Sequence, residues 1–332
     1  MREAILVDDL LSLPDGPVTD WIFVGLGLTL LLLAGDSLVK GAVNLSLRLG
    51  VPALIVSLTI VAFGTSAPEL LISVQAIWEG VPDLALGNVV GSNTANVLLV
   101  LGVPALLAVM HTSHCNTRTS YLQMMAATVL FIALAYRGVY DWIAGIILLT
   151  ALAAMLIHAA LAAKSHRATC AAMEEDEEPE GADPDLPWSK IILFLVLGII
   201  GLPLGANLLV EGATDIAQDF GVSEAVIGLT LVAIGTSLPE LATTVMAALR
   251  QQADVALGNV IGSNMFNLLG IIGVASLVGV IPVQETFFEF DFWVMLGASL
   301  VLIPFVFLRQ DLTRLWGLAL TAAYIGYLAL VF

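Results

Sequence analysis

Two glutamates carry the chemistry that this sequence can offer. Glu69 ends the run Gly64-Thr65-Ser66-Ala67-Pro68-Glu69 and Glu240 ends Gly235-Thr236-Ser237-Leu238-Pro239-Glu240, each deep in an apolar stretch whose other charges lie near its ends. An ionised carboxylate there costs several kcal/mol unless a cation or proton neutralises it. Something positive must visit these side chains. Pro68 and Pro239 each remove a backbone donor, and Gly64 and Gly235 loosen the turn before them. Each helix is therefore expected to break near mid-membrane and free carbonyl oxygens. A second motif adds neutral oxygens. Ser92 and Asn96 in GNVVGSNTANV, like Ser263 and Asn267 in GNVIGSNMFNL, stand four residues apart and share one helix face. The glycines of that motif, Gly87 with Gly91 and Gly258 with Gly262, also suit close helix packing. Carboxylates, amides, hydroxyls and freed carbonyls make an all-oxygen cage for hard cations such as Ca²⁺ or Na⁺, without thiolate or imidazole for softer metals.

The motifs come in pairs because the chain is duplicated. Residues 35–102 align without a gap on 206–273 at a shift of 171, with about 30 of 68 positions identical. An isolated buried glutamate could be a protonated residue that only glues helices together, but its recurrence at equivalent places argues for a site. Each copy holds five apolar spans, an odd number. The second must therefore cross the membrane in the opposite sense, relating the halves by a pseudo-two-fold axis in the membrane plane.

The elements that position these residues follow from composition. Of 332 residues, 59% are hydrophobic and 12% charged, with a mean hydropathy of +0.99. That excludes soluble enzymes and nucleic-acid binders, and the unbroken apolar runs exclude a β-barrel. The expected fold is an all-α polytopic membrane protein of ten transmembrane helices in two inverted five-helix repeats. Its spans lie near 21–48, 52–78, 84–110, 119–136, 139–163, 188–213, 224–250, 253–280, 291–308 and 314–331. Residues 1–20 form a polar tail, 21–163 the first repeat, 164–187 an acidic linker and 188–332 the second repeat.

Of the net charge of −17, a dense share sits in the linker, where MEEDEEPEGADPDLP reads as a solvated loop rather than a calcium collector. With the N-terminus outside, Lys40, Arg48, Arg118, Lys164, Arg167, Lys190, Arg250, Arg309 and Arg314 fall on the cytoplasmic side, leaving Arg2 and Arg137 outside. Both termini are thus expected to be extracytoplasmic. Cys115 and Cys170 are too few for a disulfide framework, and His111, His114 and Cys115 read as a polar loop before a zinc site. Asp36 and Lys40, one turn apart, are expected to pair.

On GTSAPEL with GNVVGSNTANV and GTSLPEL with GNVIGSNMFNL, the sequence resembles the cation/Ca²⁺ antiporter superfamily, in particular its prokaryotic sodium/calcium exchanger branch. The resemblance spans both halves. It implies an integral protein of the prokaryotic cytoplasmic (inner) membrane that is not an enzyme, has no cofactor or obligate protein partner, and carries Ca²⁺ and Na⁺ as substrates. Glu69 and Glu240 would chelate Ca²⁺ with backbone oxygens of Thr65 and Thr236. Na⁺ would use the same glutamates with Ala62, Ser66, Ser92, Ala233, Ser237 and Ser263, while Asn96 and Asn267 line the centre. Several members of the superfamily carry Asp where this chain has Asn267, which weakens the case for a third obligatory cation. The implied mechanism is alternating access, the Gly-rich first and sixth spans sliding against the rest. The alternative on the same fold is Ca²⁺/H⁺ antiport. A passive channel would need a continuous wet pore, and a hydrolase a partner base beside Ser66 or Ser237.

Overall fold

The computed structural model describes residues 17–115, 117–170, 183, 185–221 and 233–331. The described chain is helical almost throughout. Its helices are α1 (Pro17–Leu49), α2 (Ala53–Thr65), α3 (Ala67–Trp78), α4 (Pro82–Leu107), α5 (Arg118–Ala135) and α6 (Trp142–Cys170) in the first half. The second half holds α7 (Trp188–Asp219), α8 (Ala233–Thr236), α9 (Leu238–Leu249), α10 (Ala253–Val278), α11 (Phe287–Phe307) and α12 (Arg314–Val331). Among the described residues eight helices are long and apolar enough to cross a membrane, and α2 with α3, bent by 43°, add a ninth if the pair is taken as one span. The expected span over 224–250 is described only from residue 233, as α8 and α9.

Several helices run past the ends of the expected spans. The first helix starts at Pro17 rather than after residue 20, because proline at a helix start gives up only a donor that would be unsatisfied anyway. The fifth runs to Cys170, through the first seven residues assigned to the linker. Leu-Ala-Ala-Lys-Ser-His-Arg-Ala continues the helix because Ala, Lys and Arg are strong helix formers once the apolar stretch ends. The acidic stretch from residue 171 to 182 lies outside the described residues.

Burial ranks the helices. In their apolar windows α4 and α10 are 78% and 83% buried, against 17% for α6 and α12, so the two GN-motif helices form the centre and the others a sheath. Sheath side chains such as Leu71, Ile157 and Leu315 point outward, as lipid-facing residues do. Glycines set the close approaches. A Cβ on Gly258 or Gly262 would stand 2.9 Å from Leu54 O or 2.6 Å from Leu58 O, so α10 lies directly on α2.

The long helices α1 and α7 pack backbone to backbone: Gly212 abuts Asp20, Gly205 abuts Gly27 and Leu31, Gly201 abuts Ala34 and Gly198 abuts Leu38. As numbers rise along α1 they fall along α7, so the two run antiparallel.

Loops close the bundle at its two ends. At one, β1 (Val139–Tyr140) pairs antiparallel with β2 (Ile281–Pro282), and Gln284 donates to Asp83. At the other, Met110 bridges Leu312, and Arg48 holds Leu186 O at 2.8 Å by its Nη2. Burial pushes the Cys115 thiol up at this end. Opposing effects meet on Asp311. Its partial burial raises the carboxyl pKa, but hydrogen bonds from Ser113 and His111 outweigh that and hold it below the usual range.

Candidate ion site

Each Gly-Thr-Ser-x-Pro-Glu motif breaks its helix at the serine. Ser66 (φ −85°, ψ 6°) separates α2 from α3 and Ser237 (φ −88°, ψ 3°) separates α8 from α9, with the proline at the second helical position where it does least harm. Both glutamates then fall in the first turn of the new helix, where orphan N–H groups favour negative charge. Each is 1% exposed, and the two carboxylates lie within electrostatic reach of one another.

Contacts between the halves assemble the centre. Ser66 Oγ donates to Glu240 Oε1 at 3.1 Å, and Ser263 Oγ does so at 3.5 Å. Thr65 Oγ1 stands 3.4 Å from Ser263 Oγ and donates to Asn259 Oδ1 at 3.3 Å. Asn267 Nδ2 donates to Ser92 Oγ at 3.1 Å. Its counterpart Asn96 bonds instead to Asn264 Oδ1, also at 3.1 Å. This break in symmetry has a backbone counterpart, since Asn267 sits in a π-helical turn (Phe266–Ile271) whereas Asn96 lies in regular α-helix.

Ala62 is fully buried, and its carbonyl accepts from Ser66 N at 3.0 Å. Thr236 is 8% exposed, and Ala233 opens α8, its side chain lying outside what is described. Eleven of the twelve expected site residues are therefore buried.

Two further residues escaped the sequence reading. Asn88 Nδ2 donates to Glu69 O at 3.3 Å and Ser73 Oγ at 3.2 Å, and Asn259 Nδ2 donates to Glu240 O at 3.3 Å and Thr244 Oγ1 at 3.2 Å. These pseudo-symmetric clamps tie each glutamate's backbone to the central helix. Their signal was present in the duplicated Gly-Asn that opens each second motif.

Five buried oxygens around this centre find no hydrogen-bond partner among the described residues: Glu69 Oε2, Glu240 Oε2, Asn96 Oδ1, Asn267 Oδ1 and Ser237 Oγ. A cluster of carboxylate, amide and hydroxyl oxygens without donors fits a hard cation better than any other guest. At the loop end, by contrast, His111 Nδ1 is engaged by Asp311 Oδ2 at 3.0 Å.

A bundle of apolar helices with buried carboxylates at two helix breaks is the architecture of an integral membrane transporter. The family model described as "Sodium/calcium exchanger protein" matches residues 19–161 and 190–332, and the chain belongs to that family of antiporters. It is 33% identical to Sodium/calcium exchanger MaX1 of Methanosarcina acetivorans, covering 94% of this chain and 98% of that protein. It is 34% identical to Inner membrane protein YrbG of Escherichia coli, over 92% and 94% respectively. The fold matches a structure of the sodium-calcium exchanger NCX_Mj with a TM-score of 0.80 and 30% identity, covering 96% of this chain and 100% of that one.

Proposed function

We propose that this protein is a secondary active antiporter of the prokaryotic inner membrane that exchanges Ca²⁺ for Na⁺ by alternating access. The observation that carries the reading is the set of donorless buried oxygens around Glu69 and Glu240. An unsatisfied buried acceptor costs about 1–3 kcal/mol, and a bare carboxylate more. Cation binding removes that cost at every oxygen together. Ca²⁺ is held by Glu69, Glu240 and the backbone oxygens of Thr65 and Thr236. Na⁺ uses the same carboxylates with Ser66, Ser92, Ser237, Ser263 and the carbonyls of Ala62 and Ala233, and Asn96 and Asn267 line the centre. The likeness to the sodium/calcium exchanger MaX1 and the sodium-calcium exchanger NCX_Mj supports these ions.

Coupling follows from electrostatics. With both glutamates bare, the occluded intermediate buries two uncompensated charges at several kcal/mol each, so an empty carrier does not cross. The architecture is ten spans in two inverted repeats, with both termini extracytoplasmic. The antiparallel course of α1 and α7 and the family match over each half support the inversion. α8 and α9 lie within the expected seventh span, 224–250. The glycine contacts between α1 and α7 allow that pair to slide as a unit.

The test is radioactive calcium uptake into sealed proteoliposomes, comparing an outward Na⁺ gradient with an outward H⁺ gradient of equal size. Na⁺-driven uptake is expected, with Glu69→Gln and Glu240→Gln each abolishing it. Transport surviving in either variant removes that residue from the mechanism, and uptake driven only by protons selects Ca²⁺/H⁺ exchange instead.

A further inference from the structure

A second cavity lies apart from the central site. It occupies about 390 Å³ between the starts of α2 and α5, the second half of α6 and the face of α10. One end is polar, lined by Asp254, Thr119, Ser120, Gln123 and His158, while the rest is apolar, with Leu152, Leu156, Met265 and Phe266 on its walls. Asp254 is in the first turn of α10, and Met265 follows it by eleven residues. At 1.5 Å per residue the cavity reaches roughly 16 Å inward from the helix ends, which is head-group level to well inside the hydrocarbon. A groove of this depth with mostly apolar walls has the dimensions and character that an acyl chain requires.

Its polar end carries both acceptor and donor groups. Asp254 Oδ1 is buried with no hydrogen-bond partner among the described residues. The Cys115 thiol touches the same carboxylate, but as a weak donor it leaves the charge largely uncompensated. That oxygen calls for a cation bearing N–H groups. Opposite it stands the N-terminus of α5, an 18-residue helix whose first N–H groups receive no side-chain cap and which carries Thr119 and Ser120 in its first turn. Gln123 Nε2 donates to His158 Nδ1 at 3.1 Å, which puts the imidazole proton on Nε2 as a further donor. These donors suit a phosphate.

We propose that this groove holds one phospholipid with a primary ammonium head, of the phosphatidylethanolamine type. Its ammonium sits on Asp254, its phosphate lies at the start of α5 with Thr119, Ser120 and His158, and one acyl chain follows Leu152, Leu156, Met265 and Phe266. Phosphatidylcholine has no N–H to give Asp254, and phosphatidylglycerol has no cation. The lipid braces α2 against α10 below Ala62 and Ser263, and its binding does not depend on which ions the central site carries.

Native mass spectrometry of the full chain, released from detergent with equal amounts of phosphatidylethanolamine, phosphatidylcholine and phosphatidylglycerol, reads the preference directly. About fivefold greater retention of phosphatidylethanolamine than of either other lipid is expected, falling to the phosphatidylcholine level in Asp254→Asn. Ala159→Phe, which fills the groove on α6, lowers phosphatidylethanolamine retention without touching the polar end. Equal retention of the three lipids by the unsubstituted protein overturns the proposal, as does a preference that survives Asp254→Asn. If Asp254→Asn does not fold, the unsubstituted protein and Ala159→Phe decide the matter by the same criteria.

Discussion

At the scale of single residues, the amide clamps separate holding a ligand from being one. Asn259 does not present its oxygen to the glutamate pair; it donates to Glu240 O and Thr244 Oγ1 and accepts from Thr65. Its bonds fix the backbone that carries Glu240. Asn259→Ala leaves buried acceptors unpaired at about 1–3 kcal/mol. The expected outcome is a KM for calcium raised roughly tenfold, with exchange retained, whereas Glu240→Gln abolishes exchange. Steady-state uptake against calcium concentration distinguishes the two, and an unchanged KM in Asn259→Ala would remove the clamp from the ion site. Of the residues read as chemistry, Glu69 and Glu240 were legible because a charge in an apolar run has few explanations and theirs recurs in the same frame. The clamps were less legible because an asparagine near a helix start has many.

Among the elements, the two halves end their motif helices differently. Gly80 (φ 77°) closes α3 with Gly80 N bonded to Ile77 O and Val81 N to Ala76 O, a Schellman ending that suits glycine. The equivalent turn after α9 has the same two bonds, Gln251 N to Ala248 O and Gln252 N to Ala247 O, but places Gln251 at φ 56°. A side chain in that left-handed region costs about 1–2 kcal/mol. Gln251→Gly loses only a 3.3 Å side-chain bond to Ala248 O, so it is expected to stabilise the protein by about 0.5–1 kcal/mol, seen as a higher Tm in detergent. A lower Tm would mean that the glutamine contributes more than its backbone costs. Sequence periodicity located the helices, but their ends depended on local bonding. The start of α1 at Pro17 and the run of α6 to Cys170 were decided by capping and propensity, which hydropathy does not measure.

For the whole molecule, orientation is the property most open to direct test. Gln284 and Gln310 are both exposed and lie in the loops before and after α11, so they mark opposite ends of the bundle. With the termini outside, Gln310→Cys should react with a membrane-impermeant maleimide only from the cytoplasmic face and Gln284→Cys only from the other. Burial keeps the Cys115 thiol protonated and slow, and Cys170→Ser removes the other native thiol. The reverse labelling pattern would invert the proposed topology.

The ion pair of Asp36 carries a related lesson. Lys40 stands 2.8 Å away as one-turn spacing implied, but Arg250, 214 positions later, grips the same carboxylate and fastens α1 to the end of α9. The sequence by itself determined the membrane class, the duplication, the helix breaks and the two acidic positions, since each depends on hydropathy or on residues close in the chain. Only the tertiary structure decided that Ser66 serves Glu240 across the halves, that Asn267 reaches Ser92 while Asn96 turns to Asn264, and which oxygens are left without donors. Those pairings join residues some 170 positions apart, and their geometry is fixed by how closely glycine-bearing helices pack, a quantity that no local pattern encodes.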